Sequence, residues 1–236
     1  MKYISIKTAS VAAGATLILF GASFNANAFG IPGIGGGESS SSVDTSELVK
    51  TSNELVDKYR LSMVSINYAQ AEALEAFGLR EMAEEARQDA KAFQGGVVDG
   101  KAGDKKVENT EKRNEEIYKR AKKGTKLQGQ ARKHVAKSAA AYAGTSYMGV
   151  KIAENIKTWG SDAKGAMSSL KTDPRKLAGF KNDIEPGLFV MTKLPDLASQ
   201  WTKTASVLVD YAKVNGDKID EKKEAKAMEQ HFSMNE

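Results

Sequence analysis

The sequence predicts an all-α protein, an elongated bundle of long amphipathic helices. Apolar residues recur at steps of three, four and seven through most of the chain, the spacing of one helical face. No segment alternates apolar and polar residues for long enough to argue a strand. Glycine and proline gather between the periodic stretches, where they mark the breaks. With 41% hydrophobic and 28% charged residues, the 236-residue chain has the apolar content of a packed domain rather than a disordered one.

The first 28 residues read as a cleaved signal peptide. Lys2 and Lys7 are the only charges before Glu38, an apolar and small-residue stretch fills residues 9–24, and Ala26-Asn27-Ala28 supplies the small-x-small cleavage pattern. A permanent anchor is the competing reading, but a spanning helix takes roughly 20 well-apolar residues. This stretch is shorter and is diluted by Ser10, Gly14 and Ser23. The processed chain is therefore expected to begin at Phe29 and to work in the periplasm or outside the cell. The chain has no cysteine, which excludes lipoprotein anchoring, disulfides, thiolate metal sites and thiol nucleophiles.

Residues 29–44 are rich in glycine and serine and read as a flexible leader, in which Phe29, Ile31 and Ile34 stand out as apolar. The helical domain is expected over residues 45–214. Asp44 and Glu47 have capping-box spacing. Behind them Leu48, Leu55, Tyr59, Met63, Ile66, Ala73 and Phe77 share one face, and Leu79, Met82, Ala86, Ala90 and Phe93 resume it after Gly78. One kinked helix and two stacked helices both satisfy that pattern. A break is expected from Gln94 to Asp104, which holds four glycines.

Residues 105–123 are mostly polar, and Val107, Ile117 and Ala121 give only a thin apolar stripe, so a largely exposed helix is expected. Glu108–Lys112, Glu115–Lys119 and Glu116–Arg120 are spaced for helix-surface pairs, each worth about 0.2–0.5 kcal/mol. From Leu127 to Trp159 a further helix is expected, with Ala131, Val135, Ala139, Tyr142, Ile152 and Ile156 as core residues. After Gly160 the helices should shorten. Asp173-Pro174 reads as an N-cap with proline at the first helical position, and Pro186 and Pro195 as further boundaries. Leu197, Trp201, Ala205, Leu208 and Tyr211 line one face of a last core helix. Beyond Asn215-Gly216, residues 215–236 form a charged tail with Met228 and Phe232 as its anchors.

Charge is unevenly spread. Without Lys2 and Lys7 the chain holds 33 basic and 30 acidic residues, a balance of +3. Residues 29–104 carry 7 basic and 13 acidic side chains, whereas residues 105–137 carry 12 and 4. The basic block includes Lys119, Arg120, Lys122, Lys123, Lys126, Arg132, Lys133 and Lys137. It fits three roles: contact with a polyanionic partner or an acidic envelope surface, pairing with the acidic first helix within or between molecules, or a solvated helix face. Nucleic acid is disfavoured as the partner, because Tyr118 alone supplies an aromatic for stacking.

Residues 138–150 are uncharged and dominated by small side chains, which let another helix approach closely. They are too few to span a bilayer. A calcium loop around Gly216 is rejected, since Tyr211 and Lys213 would occupy oxygen-ligand positions. Neither His134 in the basic block nor His231 in the charged tail has a nearby carboxylate–nucleophile arrangement, and no hydrolase, phosphate-loop or zinc-protease motif occurs. No cofactor or metal is implied, and no motif is specific enough to place the chain in a family. The reading is an exported, non-enzymatic helical protein that acts in assembly or partner binding, through a protein partner or self-association. A membrane-active protein inserting residues 138–150 after oligomerising is the alternative.

Overall fold

The computed structural model describes residues 45–124 and 126–233, and these form six α-helices with no strand among them. The all-α class expected from the periodicity is the class observed. The signal segment, the leader and Asp44 lie outside the described residues, as do the side chains of Met228, His231 and Phe232. The expected capping box rests on Asp44 and so lies outside the described residues. The N-cap of the first helix is Thr45, which makes no side-chain capping bond.

Helices α1 (Ser46–Ala76) and α2 (Arg80–Gln94) are two separate helices folded into a hairpin. The ring of Tyr59 meets that of Phe93 edge-on at 6.4 Å, and Arg87 reaches Glu75 at 3.2 Å, so the two helices run antiparallel. Gly78 makes the turn at φ 77°, a conformation only glycine adopts freely. The amide of Leu79 donates to the Leu74 carbonyl at 2.8 Å and that of Gly78 to Glu75 at 3.0 Å, a Schellman closure of the helix end. The same paired bonds, around Gly96 and Gly216, close α2 and the fifth helix.

Helix α3 (Gly100–Lys123) starts inside the stretch expected to be a break. Gly103 makes that possible, because a Cβ there would lie 2.6 Å from the Val98 carbonyl oxygen. Nor is α3 largely exposed. Val107, Ile117 and Ala121 are buried as a thin stripe, and Thr110, Arg113 and Asn114 are buried beside them. Arg113 is only 1% exposed. Its Nη2 donates to Asp89 of α2 at 2.8 Å and to Asn67 of α1 at 2.6 Å, and its Nε donates to Gln70 at 3.0 Å. Lys106 donates to the other Asp89 oxygen at 2.7 Å, so a buried polar layer docks α3 on the α1–α2 hairpin.

Helices α4 (Gly129–Ser169) and α5 (Pro174–Val214) are 41 residues each, so the expected shortening after Gly160 does not occur. Asp173 caps α5 as expected, accepting from the Lys176 amide at 3.2 Å, with Pro174 at the first helical position. Pro186 and Pro195 are not boundaries but lie inside α5. Proline removes a bond to the carbonyl four residues earlier. For Pro186 that carbonyl belongs to Asn182, an exposed residue, so water can replace the lost donor. Buried side chains from Phe180 to Ala212 span both prolines and hold the helix together across them.

Helix α4 lies between α1 and α5, and its small-residue run allows both contacts. Ser138 donates to the Ala69 carbonyl at 2.7 Å, and the hydroxyls of Ser65 and Thr145 meet at 2.8 Å. On the other side the face of Gly149 is covered by Trp201, whose Cε3 would stand 3.1 Å from a Cβ at that position. A last helix, α6 (Glu221–Ser233), packs on α4.

Candidate functional site

The structure divides the eight basic residues singled out in the sequence. Lys119 and Arg120 pair with Glu115 and Glu116 on the surface of α3, at 2.6 and 2.7 Å, and Lys112 pairs with Glu108 in the same way. Arg132 grips Asp217 with two bonds of 3.0 and 3.1 Å, fastening α4 to the turn after α5. Lys137 reaches Glu72 of α1 at 2.9 Å. Lys122, Lys123, Lys126 and Lys133 are exposed and have no carboxylate partner among the described residues. Lys122 lies over the ring of Tyr118, 5.6 Å from its centroid.

Those four lysines sit on the α3–α4 turn and the helix ends it joins. Part of the pattern serves helix stability: Arg120, Lys122 and Lys123 occupy the last turn of α3, where cations offset the negative end of the helix dipole. Gly124, at φ 72°, then ends the helix. The same reason fails for Lys126 and Lys133. Helix α4 has no acidic residue in its first turn, and its first charged side chains are Arg132 and Lys133. Cations are the wrong sign at the positive end of a helix. Asp217 compensates Arg132, and Lys133 has no such compensation among the described residues.

No family model, no curated protein and no solved structure matches this chain.

The start of α4 is tied to the end of α5. The Asn215 side chain accepts from the Leu127 amide at 3.0 Å, and the Arg132–Asp217 pair lies beside it. Val214, the last residue of α5, precedes Asn215 and is 85% exposed. No sequence pattern marked this valine, because its neighbours on α5 continue the core periodicity and only the helix end leaves it uncovered.

A second cluster joins α1 to α4. Nδ1 of His134 donates to Glu72 Oε2 at 2.5 Å while Lys137 holds Oε1. His134 had no carboxylate near it in sequence, and fold closure supplies one from 62 positions away. Beside Lys137 a cleft of about 480 Å³ runs between α1, α4 and α6 over Leu61, Val64 and Ala141. Among the described residues no three histidine or carboxylate side chains gather as a metal site, and no helix is long and apolar enough to cross a membrane.

Burial works to raise the Glu72 pKa, but the hydrogen bonds from His134 and Lys137 outweigh it and hold the carboxyl below its ordinary value of 4.5. A depressed carboxyl contributes stability that is present above its unfolded pKa and lost as pH falls through the folded one. Glu72→Gln is expected to cost less than about 1 kcal/mol near neutral pH, since Lys137 and His134 are partly solvated. In urea unfolding series run at successively lower pH, the gap between parent and variant should close below the ordinary carboxylate range. A gap that persisted unchanged into acid would show that the carboxylate charge is not its source.

Proposed function

We propose that the chain is an exported, non-enzymatic helical protein of the cell envelope or cell exterior, which binds an acidic partner through the α3–α4 turn. The observation that carries this reading is the exposed set Lys122, Lys123, Lys126 and Lys133, of which Lys126 and Lys133 serve neither a described ion pair nor a helix dipole. Sequences depart from local electrostatic consistency mainly where function requires it. The signal-like first 28 residues support export.

Binding to soluble polyglutamate, followed by calorimetry at low and high salt, tests the reading. The parent protein should bind with an affinity that falls steeply as salt rises, and the Lys122→Gln, Lys123→Gln, Lys126→Gln, Lys133→Gln variant should lose most of it. All four side chains are exposed, so the variant should stay folded, its unfolding midpoint lowered only slightly by the loss of Lys122 and Lys123 from the last turn of α3. Equal binding by both proteins would sink the proposal. Light scattering at the same two salts separates the partner classes. A salt-dissociable oligomer makes the partner a second copy, and a monomer at both salts makes it another molecule.

A further inference from the structure

We infer that the acidic partner is an anionic lipid surface, met end-on by the α3–α4 turn, with Val214 entering the headgroup layer. This rests on the proposed use of the four lysines and names what they meet.

The first argument is the choice of cation. The three arginines of the block, Arg113, Arg120 and Arg132, are spent within the chain on Asp89, Glu116 and Asp217, and the cations left over are all lysines. Arginine is the residue for bidentate recognition of a carboxylate or phosphate placed by a partner, whereas lysine is a flexible point charge. A set of unpaired lysines suits a diffuse negative field with no fixed acceptor geometry, which is what a bilayer of anionic headgroups presents.

The second argument is independent of charge. Val214 is 85% exposed, far beyond Val150 at 41% and Tyr68 at 37%. It is held near Lys126, because the next residue, Asn215, bonds the amide of Leu127, which follows Lys126 in the chain. Membrane-surface proteins combine apolar side chains that enter the headgroup layer with cations attracted to anionic lipid, and Val214 with Lys126 offers that combination on a small scale. Two of the carboxylates nearby are paired, Asp217 with Arg132 and Glu221 with Lys213 at 3.4 Å. Asp220 accepts from the Lys223 amide at 3.2 Å and keeps its charge, one against the four lysines. Asp210 is one turn back along α5, about 6 Å behind the tip by helical rise.

The test is cosedimentation of the purified chain from Phe29 onward with phosphatidylcholine vesicles, with and without phosphatidylglycerol. Binding should require phosphatidylglycerol and fall with salt. Each lysine near an anionic surface is worth about a fivefold change in partitioning, so the four-glutamine variant should weaken it on the order of several hundredfold. Val214→Ser should weaken it several-fold with no change in unfolding midpoint. The vesicles should stay sealed to an entrapped dye, because the surface is met from outside and residues 138–150 remain packed between α1 and α5. Polyglutamate binding without phosphatidylglycerol-dependent vesicle binding overturns the lipid inference and leaves the acidic-partner reading standing. Loss of both overturns both. Vesicle binding that Val214→Ser leaves untouched, that the glutamine variant retains, or that is accompanied by leakage also overturns the inference.

Discussion

Arg113→Met is expected to lower the unfolding free energy by about 3–5 kcal/mol, the cost of removing one partner from a buried ion pair. Asp89 is 5% exposed, and Arg113 Nη2 donates to it at 2.8 Å. Without the guanidinium, that carboxylate keeps Lys106 alone, the Gln70 oxygen loses its donor, and the Asn67 oxygen keeps only the Thr110 hydroxyl at 3.2 Å. Desolvation is already complete, so nothing in the folded state replaces the missing bonds. Urea unfolding of the variant gives the number. The effect should also be local, because α3 buries few apolar side chains and depends on this layer. Amide exchange should accelerate in α3 before it does in α1 or α4. Asp89→Asn in the Arg113→Met background should recover part of the loss, since the stranded charge is then gone. A cost below about 1 kcal/mol would mean that the thin stripe of Val107, Ile117 and Ala121 suffices.

The same layer shows where a single sequence stops being informative. The apolar faces were legible because burial needs only periodicity: Leu55, Tyr59, Met63, Ile66, Phe93, Val135, Ile152, Leu197, Trp201 and Leu208 are all buried. Helix ends at Gly78 and Gly216 were legible because a Schellman closure needs a residue tolerant of positive φ. Arg113 was not legible. On α3 it is one charge among many, and it becomes a core residue only when Asp89, Asn67 and Gln70 arrive from 24 to 46 positions away. The prolines misled for the opposite reason. Their local cost in a helix is real, about 3 kcal/mol, but the packing of α5 overrides it. At the candidate site the composition of the block was legible and its division was not. Whether a lysine is paired on its own helix, paired across the fold or left free depends on which carboxylates the fold brings to it, as Glu72 and Asp217 show.

Trp159→Ala carries the other large expected effect, about 3–5 kcal/mol in urea unfolding. Trp159 is 2% exposed on α4, and its indole N–H donates to the Leu48 carbonyl of α1 at 2.9 Å. Its ring also fills the space that Gly187 of α5 leaves, so one side chain ties three helices. A Cβ on Gly187 would stand 2.8 Å from the Trp159 Cη2 and closer still to the Ser52 hydroxyl. Gly187→Ala alone should therefore destabilise by about 1–3 kcal/mol through overpacking, despite the better helix propensity of alanine. In the Trp159→Ala background that sign should change. With the ring gone, Ser52 can turn away, the new methyl enters the cavity, and the propensity gain of up to about 1 kcal/mol remains. The pair should thus show a coupling energy well above the few tenths of a kcal/mol expected of independent sites. Additive costs would mean that α4 and α5 do not meet through this contact. The contact also explains why α5 keeps a glycine directly after a proline in mid-helix. The close approach over Trp159 requires the missing side chain, and α5 retains two residues unfavourable to a helix so that three helices can close on one indole.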